Sequence, residues 1–324
     1  MASNFTKLKK SVTLFFNSYW LVEYIMLFKY HRFSWRKSDK SPMLISMVDG
    51  RRLGKGLTDR FKGIVSVYAL AKATGTPYRC IYTHPMQLSD FLEPNEYNWL
   101  PGQEELSEST RGVRFKLLRK QHTIKRLLKV FPLKRQIRVY ANLDYLDEVN
   151  RKYDQQYQWG TLFNELFKIT KPLERKLQFH QSQIGGPYIA CVFRFQALLG
   201  DFKEYNFKPL SSDEQNLLIE KNKEALRKVI DNSILPVLVT SDSTTFLGEI
   251  KDLESVYTIP GKVVHIDNVA NERQEVYMKS FVDFFMLAHA KKVYSIGTKA
   301  MYRTDFPAFA AKVNNVPFER ILID

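Results

Sequence analysis

Cysteine is scarce in this chain of 324 residues: Cys80 and Cys191 are the only two, and each sits in an apolar run. A disulfide framework is not expected, which favours a reducing compartment, the cytosol. The six histidines, His31, His84, His122, His180, His265 and His289, are scattered, and none stands at ligand spacing from a second histidine or a cysteine. With no Asp-x-Asp signature in a suitable loop, no metal site is expected. A G-x-S-x-G turn, a Cys-His pair at a strand end and a phosphate-binding P-loop are likewise missing. The longest apolar stretch, Val12 to Phe28, is interrupted by Asn17 and Glu23. That is short for a membrane span and untidy for a signal-peptide core. Internal repeats and low-complexity tracts are absent too.

What is present is a folded protein: 44% apolar and 14% aromatic residues, in a length that holds two domains with proper cores. The formal net charge is +15, which calls for an anionic partner. Its distribution narrows the choice. Residues 1–40 carry a net of +6, and residues 111–140 carry eleven Lys and Arg with no acid, leaving the rest of the chain slightly negative. Basicity confined to two segments suits attachment to an anionic membrane surface better than a nucleic-acid groove, which makes nucleic acid an improbable partner. The first segment, with Tyr19, Trp20, Tyr24 and Phe28 on an apolar body flanked by Lys and Arg, reads either as an interfacial amphipathic helix or as a helix packed on the protein's own surface.

The remaining pattern is α/β. Strands are expected at 43–48, 78–83 and 139–143 and helices at 57–74, 113–130 and 159–179, the second of these basic and the third broken near Pro172. Gly185-Gly186-Pro187 is the clearest punctuation and marks the expected domain boundary. Beyond it, strands at 188–193, 237–240, 263–266 and 292–296 alternate with helices at 212–231, 244–253, 274–289 and 304–313. Such alternation means a parallel sheet with helices on both faces, and its carboxyl rim is where ligands bind. The expected organisation is a basic membrane-associating segment over 1–40, an N-terminal lobe over 41–184 with a basic insertion at 111–140, and a C-terminal lobe over 185–324.

Several features at that rim suit an anion. The strand ending at Ile296 runs into Gly297-Thr298-Lys299-Ala300-Met301-Tyr302-Arg303-Thr304, with Pro307 in the first turn of the next helix. A helix N-terminus after a parallel strand offers free N–H groups to a phosphate, though every such loop has one. Arg194 ends an apolar run and either grips phosphate through two parallel bonds or pairs with a carboxylate. Asp242 either accepts donors from a base or ribose or caps the following helix. Gly54-Lys55-Gly56 is a lone glycine-rich turn.

The combination resembles a known superfamily. Gly56 to Ala69, read with Ala73-Thr74-Gly75, is similar to the first segment of the fucosyltransferase-like GT-B glycosyltransferases. Phe91-Leu92-Glu93-Pro94-Asn95 with Trp99, and Trp159 to Phe167, are similar to further segments. In the C-terminal half, Ala190 to Asp201 resembles the strand end that carries His and Arg, Thr240-Ser241-Asp242 the Ser-Asp segment, and Thr304 to Ala310 the Ser-x-Phe helix start. The likeness runs in order over residues 43–324. It departs in four places. Cys191, Val192 and Phe193 stand where the family has its His; the nearby acid is displaced to Asp201; Asp305 adjoins Thr304; and Thr58-Asp59 replaces Gly-Asn.

The resemblance implies two Rossmann-like lobes facing a cleft, a GT-B-like α/β fold with an N-terminal amphipathic helix. It implies an inverting, metal-independent glycosyltransferase without cofactor, which takes GDP-fucose or a related nucleotide-diphosphate sugar to a saccharide or lipid-linked acceptor at the inner membrane face. Arg194 would carry catalysis, with Asp59 and Asp201 as candidate catalytic carboxylates. Donor contacts would come from Arg52, Gly54, Lys55, Gly56, Arg194, Asp242, Lys299, Arg303, Thr304, Asp305 and Phe306. The rival readings are a catalytically inactive scaffold of the same fold and a binder of nucleic acid or anionic surfaces.

Overall fold

The structure, a computed structural model, describes residues 19–54, 56–201, 208–261 and 274–323. The strand expected at 263–266, the start of the N-terminal helix and Lys55 lie outside the described residues. The chain forms two compact units, residues 1–85 with 94–158, and residues 86–93 with 159–324.

In chain order the first unit contributes α1 (Tyr19–Tyr30), β1 (Leu44–Val48), α2 (Leu57–Ala73) and β2 (Tyr78–Tyr82). After β3 (Leu92–Pro94) come β4 (Val113–Leu118), α3 (Ile124–Leu128), β5 (Gln136–Ala141) and α4 (Leu146–Tyr153). Its sheet has the order β2-β1-β5-β4, with every pairing parallel. Of the seventeen residues of α2, fourteen are buried, so this is a core helix and not a surface stripe. Gly63 lets it lie against β5: a Cβ there would stand 2.0 Å from the carbonyl oxygen of Ala141.

Two expectations for this unit are corrected. Residues 113–130 are not one basic helix. Val113, Phe115 and Leu117 are buried while Arg114 and Lys116 are half-buried, the period of two that makes a strand. The stretch 111–140 is therefore two sheet strands and a short helix, not an insertion. The N-terminal helix does pack on its own protein: α1 lies on β4 with Val22, Met26 and Leu27 in the core. Glu23, an interruption in the apolar run, is the anchor. It accepts the N–H of Leu117 at 2.9 Å and pairs with Arg126 at 2.8 Å and Lys116 at 3.5 Å. The opposite face leaves Trp20, Tyr24, Ile25 and Phe28 exposed. No helix among the described residues is long and apolar enough to cross a membrane.

The second unit contains α5 (Trp159–Leu166), β6 (Phe167–Ile169), α6 (Lys171–Ile184), β7 (Ile189–Phe193), α7 (Ser212–Asp231), β8 (Val237–Ser241) and α8 (Thr244–Ile250). It continues with β9 (Val256–Thr258), α9 (Gln274–Ala288), β10 (Val293–Gly297), α10 (Phe306–Val313) and β11 (Phe318–Leu322). Its sheet order is β11-β10-β7-β8-β9, again with every pairing parallel. The division falls before Trp159 rather than at Gly185-Gly186-Pro187, because α5 and α6 belong to this core. Trp159 packs edge-on against Phe309 at 5.1 Å, and Asn164 donates to the Val313 carbonyl at 2.8 Å. Residues 86–93 join it for the same reason: Phe91 stacks on Phe281 at 4.2 Å, and its carbonyl accepts from Thr170. Gly185, with φ +80, is the left-handed cap of α6 and ends a helix, not a domain.

Candidate functional site

Where an open α/β sheet reverses its strand order, the crevice at the reversal is where ligands bind. In the second unit the chain builds outward from β7 to β8 and β9, then crosses to β10 and β11. The reversal is therefore between β7 and β10. The register pairs Phe193 with Ile296 on one side and with Ser241 on the other. One residue further along, Arg194 stands between Gly297 and Asp242 at the carboxyl rim.

Arg194 does not hang free there. Its Nη1 lies 2.8 Å from Asp242 Oδ2, with side-chain exposures of 19% and 1%. The same carboxylate accepts the backbone N–H groups of Phe195 at 2.8 Å and Gln196 at 2.7 Å. Those bonds hold a turn in which Gln196 takes a left-handed φ of +55, a costly conformation for a residue other than glycine. Burial pushes the Asp242 carboxyl up, while Arg194 and the two N–H groups pull it down. All three partners are donors, and the ionised carboxylate is the form this geometry holds. Asp242, expected to read the nucleoside, is thus committed to orienting Arg194.

Asp201 is also re-assigned. It accepts from Ser243 Oγ at 2.8 Å, from Thr244 Oγ1 at 3.2 Å and from the Thr245 N–H at 2.7 Å. Ser243 in turn accepts the Phe246 N–H at 3.0 Å as the N-cap of α8. Three donors make Asp201 a brace for that helix start. The positions before Arg194 are apolar and shut in: Cys191, Val192 and Phe193 are all buried. Burial pushes both thiols up, Cys80 to about 12 and Cys191 further, so neither is a nucleophile near neutral pH.

After β10, Lys299 and Arg303 are exposed on the loop, and Thr304 and Phe306 are half-buried. Thr304 Oγ1 accepts the Phe306 N–H at 3.1 Å, and Phe306 packs edge-on against Phe284 at 5.5 Å. Asp305 heads α10 without capping it through its side chain. Its charge is answered by Arg320 at 2.8 Å, which also donates to the Thr304 carbonyl at 3.1 Å. Arg320 left no signal in the sequence because β11 was not expected. Beside this loop lies a cavity of about 420 Å³ lined by Thr298, Lys299 and Ala300 together with Leu217, Leu218 and Lys221 of α7. Lys221 was missed as well, since on a helix it reads as a solvated charge.

In the first unit the chain changes direction twice, from β2 across to β4 and back to β5, and β1 and β5 are the inner strands. Beyond β1, Asp49 accepts the Tyr140 hydroxyl at 2.9 Å and pairs with Arg51 at 3.4 Å. Gly50, with φ +77, sits where a Cβ would meet the His84 ring at 2.7 Å. Arg52 and Gly54 are exposed, and Gly56 is the N-cap of α2 with open space around it. Asp59 pairs with Lys62 at 3.1 Å. Arg60, present in the resembling segment but not expected at a site, is 2% exposed. It donates to the His84 carbonyl and, at 3.3 Å, to the Tyr82 hydroxyl, which ties α2 to the loop after β2. Among the described residues no three His, Cys, Asp or Glu side chains gather as a metal would require.

No protein-family model matches the chain, and no curated protein matches it in sequence. Solved structures do match. FUT1 of Arabidopsis thaliana, in complex with GDP, is similar at a TM-score of 0.57 and 12% identity, covering 91% of this chain and 73% of that one. The NodZ α-1,6-fucosyltransferase co-crystallised with GDP gives 0.52 and 14%, covering 84% and 92%. POFUT1 in complex with GDP gives 0.53 and 11%, covering 89% and 99%. At such identities the likeness speaks to architecture, and it agrees with the parallel sheets described above. The chain has the fold of the fucosyltransferase-like GT-B glycosyltransferases.

Proposed function

We propose that this protein transfers a sugar, fucose in the first instance, from a nucleotide-diphosphate donor such as GDP-fucose to a saccharide or lipid-linked acceptor. The observation that carries the reading is Arg194, held at the strand-order reversal of the second unit by a buried carboxylate, in a chain whose fold matches structures solved with GDP. In the reaction an acceptor oxygen attacks the anomeric carbon from the face opposite the leaving group, and the bond to the β-phosphate oxygen breaks. The configuration inverts, and negative charge grows on the departing diphosphate. A fixed cation aimed at that charge stabilises the transition state without reorganising. Arg194 supplies it. Lys299, Arg303 and the N–H groups at the start of α10 support it, and Arg320 removes the repulsion that Asp305 would otherwise exert. Enough cationic groups are available for the leaving group to be neutralised without a metal ion. Asp59 and Asp201 are the candidate carboxylates for proton transfer. Arg52, Gly54, Lys55 and Gly56, from the glycine-rich stretch of the sequence, are the further candidate donor contacts.

The membrane reading rests on the basic segments and on the exposed aromatic face of α1, which would place the enzyme against the inner face of a membrane near a lipid-linked acceptor. A second reading, an inactive scaffold, is favoured by one feature: the residues just before Arg194, Cys191, Val192 and Phe193, are apolar and buried, and none of the three is a histidine. Transfer from labelled GDP-fucose separates the two. Under the first reading Arg194→Ala lowers turnover by about a hundredfold or more, Arg194→Lys rescues it poorly because the bidentate fork is lost, and EDTA leaves wild-type activity intact. Donor binding without transfer to any acceptor supports the second.

A further inference from the structure

We infer that the segment following α1 forms a binding pocket for the phosphate headgroup of an anionic lipid, flanked by an aromatic pair that enters the interface. This deepens the membrane part of the proposed function and is independent of sugar transfer. The pocket has a volume of about 350 Å³ and is lined on one side by Arg32, Ser34, Arg36, Lys37, Ser38 and Lys40. Residues 106–109 form the other side.

The loop is built and held. The Arg32 N–H donates to the Glu108 carbonyl at 2.8 Å, and the Arg32 carbonyl accepts the Thr110 N–H at 3.0 Å. Ser34 donates its N–H to Thr110 Oγ1 at 3.2 Å, and Ser38 bonds Ser107 through their hydroxyls at 3.1 Å. Gly112 makes room for that last contact: a Cβ there would stand 2.0 Å from Ser107 Oγ.

The charges are unbalanced. Asp39 and Glu108 also line the pocket, but the one ion pair between lining side chains is Lys40 with Asp39, stretched to 4.0 Å. Arg32, Arg36 and Lys37 have no carboxylate partner among the described residues. Unpaired arginine and lysine beside serine hydroxyls suit phosphate oxygens.

Next to these cations, Phe33 and Trp35 pack edge to face at 4.8 Å and remain 59% and 77% exposed. Of the twelve large hydrophobic side chains exposed among the described residues, six fall between Trp20 and Trp35. Exposed aromatics beside unpaired cations match a membrane interface, where rings sit at headgroup depth and cations meet phosphate. A protein partner would be expected to present carboxylates and would show no lipid dependence.

The test uses the full chain in sedimentation with vesicles of phosphatidylcholine alone or with phosphatidylglycerol. Strong binding to the anionic vesicles and little to the neutral ones is expected. Neutralising a cation near such a surface weakens binding about fivefold. Arg36→Gln with Lys37→Gln should therefore weaken it tenfold or more, and Trp35→Ala should weaken it as well. Arg151→Gln with Lys152→Gln removes the same charge elsewhere in the first unit, outside both basic segments, and should weaken it less than threefold. Glycerol 1-phosphate at millimolar concentration should not displace the protein, because the soluble headgroup lacks the surface that engages the rings. Equal losses in the two charge pairs, with wild-type binding intact, would overturn the pocket while leaving surface attachment standing. No binding of the wild type to anionic vesicles at low salt would overturn both. Displacement by glycerol 1-phosphate would show a site for free phosphate and overturn the lipid assignment. All of the substituted residues are exposed, so an unchanged melting temperature checks that the fold is kept.

Discussion

The two units are built alike and finished differently. Each has a parallel sheet and an acidic residue just past an inner strand, Asp49 in the first and Asp242 in the second. At Asp242 the carboxylate is buried, gathers two backbone N–H groups and locks an arginine 2.8 Å away. At Asp49 the partners are a tyrosine hydroxyl, the single backbone N–H of Arg51 at 3.1 Å and the half-exposed Arg51 side chain at 3.4 Å, while Arg52 is exposed. The arginine buried near that rim, Arg60, turns back to the loop after β2. The second rim holds its cation in a fixed position, which is what the proposed electrostatic role of Arg194 requires. The first is a glycine-bearing turn on a firmly packed helix, suited to close contact by backbone.

Breaking the preorganised rim should have the largest effect. Asp242→Ala leaves Arg194 without its partner and two buried N–H groups without an acceptor. Removing one member of a buried pair costs about 3–5 kcal/mol, which urea denaturation would register. The matched change at the other rim, Asp49→Ala, should cost less than half as much. Equal losses would erase the contrast between the units.

A second test uses acidity. His31 lies buried at the end of α1, and burial, then Arg138, lower its pKa to about 4. An unfolded histidine titrates near 6.5, so between pH 6.5 and 4 the unfolded chain binds the extra proton. Stability from this group is complete above that window and falls by about 3 kcal/mol across it. His31→Phe should flatten the slope of urea stability between pH 7 and pH 4 by that amount. A slope identical to wild type would show that the ring does not titrate as described.

A third test probes the helix of the first unit. At Gly63 a Cβ would collide with the Ala141 carbonyl, whereas at Gly56 nothing lies within 4 Å. Gly63→Ala should cost about 1–3 kcal/mol through overpacking, and Gly56→Ala less than about 0.5 kcal/mol. Comparable costs would mean that α2 does not press on β5 as closely as the structure has it.

Much of this was legible in the residues. The central strands of parallel sheets are buried on both faces, so Leu44–Val48, Ile189–Phe193 and Val237–Ser241 stand out as apolar runs, and the polar residue after each marks the rim. The capped helix Ser212–Asp231 announced itself through Ser211 and Glu214. Less legible was anything whose meaning depends on distant backbone. Asp242 serves N–H groups nearly fifty residues upstream, and Asp201 braces a helix more than forty residues downstream. Sequence spacing carries no trace of either. The strand Val113–Leu118 was hidden by its cations, because Leu118, Ile124 and Leu127 continue its apolar residues at a spacing that imitates a helical stripe.

The central claim is that the Arg194 rim binds a nucleotide diphosphate. Melting of the wild type and of Arg194→Lys against GDP, UDP, CMP and their sugars tests it most directly. A ligand at a hundred times its dissociation constant stabilises the folded state by about 2.7 kcal/mol, a shift of several degrees. The account predicts such a shift with GDP or GDP-fucose, little with CMP, and a markedly smaller one in the lysine variant. No shift with any nucleotide, or one of equal size in both proteins, would contradict it.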